Sequence, residues 1–594
     1  GTERVCEYGS PVGRLPMFLA ELYRKSSRRD AAESRLEFQR SCEKCRTDAI
    51  RPHPCGTISC RVPRGTSEAD RQESRIRTLV PSRLRLLAGS AVLACAVASG
   101  ACTSAPPAAQ AAPASPAPQA AVRPAAPPLL DDWRDAVLYF VVLDRFADGD
   151  AASNVDVDAS KKGHFHGGDA KGLTAQLDEI ASLGVNALWI TPVVTNTPGF
   201  VTGAGFPDWA YHGYWADDFL SLDPRFGSEN DFIALVEACH ARGIRVLLDV
   251  VYNHAGYESR YTKDPRTKGW FRTNEKGDCG ADDVTSCVAG LPDFRTEAPE
   301  IAKYLLDAQI AWAKRLGVDG FRLDTVKHVA HDFWTEHRRR TREEVGKGFF
   351  LLGEVWGGDA QVLDPWFERD EMDAGFDFAF QGNALAFVEG RGRTVAFDRY
   401  LKSREKVRPG YLLSHFLSSH DVPGGLFQLG GNVELFRLAA VLQMTTAGIP
   451  TIYYGEEVAR PGGDWPENRS DMPWGARDVR PGAGLPRNEA LRADYVRLVS
   501  IRKAFPALRR GTHEGLVTQG DGYAFLRRDA ASGDAVAVAV NRAAEPAPIT
   551  FPAPAEWGGQ APKDHLGGLA VTLAGGSVSL TLPPRSAAIL APGR

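Results

Sequence analysis

The sequence predicts an α/β fold: a closed (β/α)8 TIM barrel with a small insert after strand three, followed by a C-terminal antiparallel β domain. Three observations carry this expectation. Between residues 129 and 510, short β-rich runs alternate with amphipathic helical stretches. One βα alternation of that length, with right-handed crossovers, suits a closed barrel better than an open sheet. From about residue 511 to 594 the helical period disappears and strand patterns separated by turn residues take over.

In chain order, barrel strands are expected at 136–144, 187–191, 245–250, 320–324, 349–354, 374–378, 411–417 and 451–454. Helical patterns fall between them at 173–183, 231–242, 298–316, 434–444 and 489–505. The segment 255–297 is too long for a simple loop and too short for a domain; it is expected to lie over the barrel mouth. Within the C-terminal domain, Tyr523-Ala-Phe-Leu, Ala535-Val-Ala-Val-Ala-Val and Val578-Ser-Leu-Thr-Leu are expected strands.

The first 128 residues read differently. Residues 1–82 are Arg-rich, lack hydrophobic periodicity and hold five of the ten cysteines, Cys6, Cys42, Cys45, Cys55 and Cys60. The Cys42-x-x-Cys45 pair with His53, Cys55 and Cys60 suggests a zinc site, but no strand or helix pattern carries them. The preferred expectation is a non-native extension upstream of the true start, to be left out of fold reasoning. Residues 83–102 follow as a secretory signal: Arg83-Leu84-Arg85, the apolar run 86–98, then Ser99-Gly100-Ala101-Cys102. The small residues before Cys102 resemble a bacterial lipobox, which implies an exported periplasmic or cell-surface lipoprotein anchored through Cys102; ordinary signal cleavage nearby is the alternative. Residues 103–128, almost wholly Ala, Pro, Gln and Ser, read as an extended tether. Cys239 falls in a helical pattern as an inert core thiol. Cys279 and Cys287 lie close together in a loop-rich stretch and are expected to pair in an oxidising compartment. With 70 basic against 74 acidic residues, nothing suggests a nucleic-acid surface.

Barrel enzymes carry their chemistry at the carboxyl ends of strands. Those ends supply Asp249 and His254 (strand three), Arg322 and Asp324 (strand four), Glu354 and Trp356 (strand five), and His420 and Asp421 (strand seven). Four carboxylates at one mouth repel one another, so a purely structural barrel would not collect them. A period of two places Arg322 and Asp324 on one face, with Phe321 and Leu323 on the other. The guanidinium then holds Asp324 ionised, as a carboxylate nucleophile requires. Glu354 follows an apolar run and adjoins Trp356, so desolvation and nearby carboxylates raise its pKa and suit it to be an acid. A nucleophile, an acid and a supporting charge are what glycoside hydrolysis needs.

Asp249-Val-Val-Tyr-Asn-His254, Gly320-Phe-Arg-Leu-Asp-Thr-Val-Lys-His328, Gly353-Glu-Val-Trp356 and Ser419-His-Asp421, in this order, resemble the four signature regions of the α-amylase superfamily of retaining glycoside hydrolases, closest in motifs to α-amylases. Supporting stretches are Gly184-Val-Asn-Ala-Leu-Trp-Ile-Thr-Pro192, Leu291-Pro-Asp-Phe294 and Gly448-Ile-Pro-Thr-Ile-Tyr-Tyr-Gly455. The resemblance implies Asp324 as nucleophile, Glu354 as acid/base and Asp421 as the third carboxylate. Retention implies that the Asp324 and Glu354 carboxyl groups stand about 5–5.5 Å apart. Arg322, His254 and His420 would line the cleavage subsite. His212 and Tyr214, in Tyr211-His-Gly-Tyr-Trp215, would contact the sugar ring; Trp356 would also bind substrate, and Lys327 and His328 would lie on the leaving side.

The cofactor expected is Ca2+. One candidate site is Asp148, Asp150, Asn154, Gly167 and Asp169, a loop of hard oxygen ligands; the other is Asn253, Asp293 and the His328 carbonyl. The activity expected is α-amylase hydrolysis of α-1,4-glucosidic bonds in starch or maltodextrins by double displacement. The alternatives are a cyclomaltodextrinase- or neopullulanase-like hydrolase, which Asn468-Arg-Ser-Asp-Met-Pro-Trp474 resembles, and an α-glucan transglycosylase. A non-catalytic glucan-binding homologue would be expected to have lost one of the three carboxylates.

Overall fold

The computed structural model describes residues 127–202 and 206–593. The expected extension 1–82, the signal segment with Cys102 and almost all of the tether lie outside the described residues. Eight parallel strands close a barrel: β1 (Leu138–Val141), β2 (Ala187–Ile190), β3 (Arg245–Val250), β4 (Gly320–Leu323), β5 (Phe350–Gly353), β6 (Ala374–Asp377), β7 (Leu412–Phe416) and β8 (Ile449–Tyr453), with β1 paired to both β2 and β8. Nearly every strand residue is buried, as expected for a parallel sheet covered by helices.

β3 matches the expected bounds at both ends. β1 is shorter than expected, because the chain coils at Leu143–Phe146 and buries the Asp144–Arg145 ion pair at 2.6 Å. β8 begins two residues early and takes in Pro450, opposite His415. The expected helix 173–183 is two short pieces, Ala170–Ala175 and Leu177–Ala181, meeting at Gln176. Helix Glu229–His240 starts at a capping box between Ser228 and Asp231. Helix Pro299–Leu316 stops at Gly317, whose φ of 73° suits glycine.

The insert is a small two-stranded ribbon, Phe271–Arg272 against Asp293–Phe294, with Cys279 and Cys287 disulfide-bonded between them. Cys239 is a buried free thiol, pushed up to about 12 by burial. Beyond the barrel, Thr512–Val517, Gly522–Asp529, Asp534–Asn541, Ser586–Pro592 and Pro562–Asp564 form one sheet, and Ala547–Pro552, Ser577–Leu582 and Thr572–Ala574 a second.

Candidate active site

The β4 register places Arg322 beside Asp249 of β3 and Leu352 of β5, so its side chain enters the mouth between two strands. Arg322 is fully buried, and its guanidinium touches three carboxylates. Nη1 donates to Asp324 Oδ1 at 2.6 Å and to Asp249 Oδ1 at 3.0 Å, and Nη2 lies 3.2 Å from Glu354 Oε2. Although burial opposes its charge, Asp249, Glu354 and Asp324 hold Arg322 firmly protonated. Asp249 also accepts from Trp189 Nε1 at 3.0 Å and Tyr214 Oη at 2.6 Å. It therefore anchors the site's floor, a role the sequence did not assign.

Glu354 is fixed by the backbone. The chain leaving β4 takes a left-handed turn at Thr325 (φ 47°), which turns the Thr325 N–H onto Glu354 Oε2 at 2.9 Å. Strain of this kind at a non-glycine residue persists where the surroundings over-determine it. Burial, reinforced by Asp324 and Asp421, pushes the Glu354 carboxyl up to about 8 against the pull of Arg322. Glu354 therefore carries its proton at neutral pH. Asp324 and Glu354 are each only 6% exposed, which strengthens every charge interaction between them.

Asp421 completes the carboxylate set. Its Oδ1 accepts from Arg469 Nη2 at 3.0 Å, and its Oδ2 lies 3.0 Å from His420 Nε2. Arg469 Nε also donates to the His420 carbonyl at 2.8 Å, and Asn468 Nδ2 to the same oxygen at 2.9 Å. The segment 468–474, noticed in the sequence only as a resemblance, is thus what braces the strand-seven carboxylate. Trp189 and Arg469 were not among the expected site residues.

The expected sugar-binding residues converge in part. Tyr214 stacks on His420 with centroids 5.2 Å apart, and His212 Nδ1 accepts from the Tyr214 N–H at 3.1 Å. Burial lowers the pKa of His212, His254 and His420, so all three are neutral groups able to exchange hydrogen bonds with hydroxyls. Phe140, Trp189, Phe376, Phe378 and Phe416 form the apolar lining around Glu354 and Asp421. Trp356 is 37% exposed and packs against Phe378 at 5.0 Å, a place at the rim. Lys327 and His328 both engage Asp283 of the insert.

The two candidate calcium clusters differ. In the first, Asn154 Nδ2 donates to Asp148 Oδ2 at 2.7 Å, while Asn154 Oδ1 is buried without a partner and faces Gly167. Asp169 accepts from the Gly149, Asp150 and Gly172 amides, and Asp150 is paired with Lys171. An orphaned amide oxygen beside carboxylates fits a hard cation. Among the described residues no three acidic, His or Cys side chains gather around a point. The second cluster has a cation of the protein's own beside it. Arg272, buried beside it, puts Nη1 3.0 Å from Asp293 Oδ2. The Asn253 side-chain amide lies 3.0 Å from Asp293 Oδ1 and 2.9 Å from the His328 carbonyl, oxygen foremost as placed and donating to both if turned over.

The sequence matches the family described as alpha amylase, catalytic domain, over residues 140–279 and 284–478. The chain belongs to this family. Residues 518–589 match the maltogenic amylase C-terminal domain. Neopullulanase 2 of Thermoactinomyces vulgaris is 32% identical over 489 residues, covering 78% of this chain and 79% of its own length. A cyclomaltodextrinase of Geobacillus thermopakistaniensis is 30% identical, covering 71% of each chain. The crystal structure of an Anoxybacillus α-amylase superposes with a TM-score of 0.68 at 29% identity, covering 78% of this chain and all of that one. The protein is a glycoside hydrolase of the α-amylase family acting on α-glucans.

Proposed function

We propose that the protein is a retaining hydrolase of the cyclomaltodextrinase and neopullulanase type, cleaving α-1,4 bonds of maltodextrins and cyclodextrins. The observation that carries the chemistry is one guanidinium contacting both Asp324 and Glu354, with Glu354 kept protonated. Asp324 attacks the anomeric carbon while Glu354 gives its proton to the departing oxygen. Ionised Glu354 then takes a proton from the water that cleaves the glycosyl ester. Asp421, braced by Arg469, supplies negative charge as the sugar becomes cationic, and the neutral histidines add hydrogen bonds without positive charge. The finer specificity rests on the maltogenic-type C-terminal domain and on the relatives named above.

Calcium belongs to this proposal at the loop of Asp148, Asp150, Asn154, Gly167 and Asp169, where it would supply rigidity and no step of the reaction. Export belongs to it as well, supported by the Cys279–Cys287 disulfide, a bond of oxidising compartments. The test is a time course on β-cyclodextrin, maltoheptaose and soluble starch with wild type and Glu354→Gln. Opening of the cyclodextrin ring well ahead of starch cleavage, absent in the variant, is expected. Starch cleavage with an intact cyclodextrin would return the assignment to plain α-amylase.

A further inference from the structure

The loop between Cys279 and Cys287 is closed by the disulfide and knotted inside. Asp282 Oδ1 accepts from the Val284 and Thr285 amides at 3.0 Å each, and the Gly280 N–H donates to the Thr285 carbonyl at 2.7 Å. A Cβ at Gly280 would stand 1.8 Å from Thr285 Oγ1, so the knot closes only over glycine. From this loop Asp283 reaches the turn that follows β4. Its carbonyl oxygen lies 2.7 Å from His328 Nδ1, and its carboxylate lies 3.6 Å from Lys327 Nζ.

A carbonyl oxygen can only accept, so Nδ1 of His328 carries the proton. The ring is neutral, since burial lowers its pKa, and Nε2 is therefore left as an acceptor. The same turn presents the Thr325 N–H that holds Glu354. Glu354 protonates the departing oxygen, and the backbone that fixes it runs on directly into Lys327 and His328.

We propose that the disulfide-closed loop is a positioning element for the departing sugar: Asp283 sets the His328 tautomer so that Nε2 accepts a hydroxyl of that sugar, and restrains Lys327 beside it. This rests on the hydrolase reading above. Asp283 touches no reacting atom. It acts through two side chains, and the disulfide keeps it in place to do so.

The test compares the full-length wild type with the Cys279→Ser/Cys287→Ser pair. Two substrates share a maltosyl unit but differ in what departs: maltotetraose releases a sugar and α-maltosyl fluoride does not. The paired variant is expected to lose about tenfold in kcat/KM on maltotetraose, mostly through KM, and less than about twofold on the fluoride. Asp283→Asn, which leaves the loop and its carbonyl in place, is expected to show the same selectivity at about threefold. Nitrogen-15 spectra of the His328 ring should show one Nδ1-protonated tautomer in the wild type and a mixture in the paired variant. Equal losses on both substrates, or an unchanged tautomer with unchanged kinetics, would overturn the proposal. A wild type that cleaves neither substrate would sink the hydrolase reading, while the tautomer spectra still decide the role of the loop.

Discussion

Burial raises the Glu354 carboxyl to about 8, with Asp324 and Asp421 adding to it, and this dictates a pH profile. The first chemical step needs Glu354 protonated, so kcat/KM should fall as pH rises through about 8, approaching tenfold per unit beyond it. Glu354→Gln removes the titrating group: kcat should drop by about 10^3-fold or more, near the upper range for a lost acid/base, and the alkaline limb should vanish. A limb that survives in the variant would assign the profile to another group. Arg272 allows a stability test away from the chemistry. Its guanidinium is the buried partner of Asp293, with side chains 6% and 1% exposed. Arg272→Met leaves that carboxylate in place without its partner, at a cost of about 3–5 kcal/mol by denaturant unfolding. A loss below about 1 kcal/mol would mean that Asp293 is stabilised by its other contacts. No local signal marked Arg272, because its partner lies 21 residues away across the ribbon.

Among elements, the barrel was legible because it depends on local pattern, and its strand ends could be followed to the carboxylates Asp249, Asp324, Glu354 and Asp421. What escaped depends on distant partners. β1 was expected to run to Asp144, yet Asp144 Oδ1 accepts the His166 and Gly167 amides at 3.0 and 3.1 Å, and this long-range capture coils the strand end. Arg469 sat in a segment noticed for its resemblance, and only the fold brings it to Asp421. The 148–169 loop mixes both cases: its oxygen-rich residues are plain in the sequence, while the capture of the Gly149 and Asp150 amides by Asp169, 20 and 19 residues away, is tertiary. If calcium occupies this loop, its removal by a chelator should lower Tm by several degrees, following the linkage between ligand and folded state, and added calcium should restore it. Asp148→Ala should have a lower Tm already and show no response to either treatment. A calcium response that persists in this variant would place the ion elsewhere.

At the scale of the whole molecule, the C-terminal domain completes the barrel rather than trailing from it. Tyr523 packs edge-on against Phe387 at 5.5 Å and Phe397 at 6.0 Å, two rings from barrel helices, and its hydroxyl donates to Asp398 at 3.0 Å. Arg542 donates to the Phe387 carbonyl at 2.9 Å and to the Gly392 carbonyl at 2.5 Å, satisfying the end of the helix Ala379–Val388. At the junction, buried Arg502 donates to the carbonyls of Met444, Thr446, Gly448 and Leu508, tying the last barrel helix to the start of β8 and to the approach into the domain. An aromatic face, capped helix carbonyls and a shared buried cation couple the two parts energetically, so heat should unfold them in a single transition. A chain ending at residue 510 would expose Phe387 and Phe397 and leave the Phe387 and Gly392 carbonyls without Arg542. It should be insoluble or melt at least about 10 °C lower, the scale expected when several kcal/mol of packing are lost from a large domain. Two separate calorimetric transitions, or a truncated barrel with wild-type Tm and activity, would show instead that the domain is independent and that its influence on the cleft is nil.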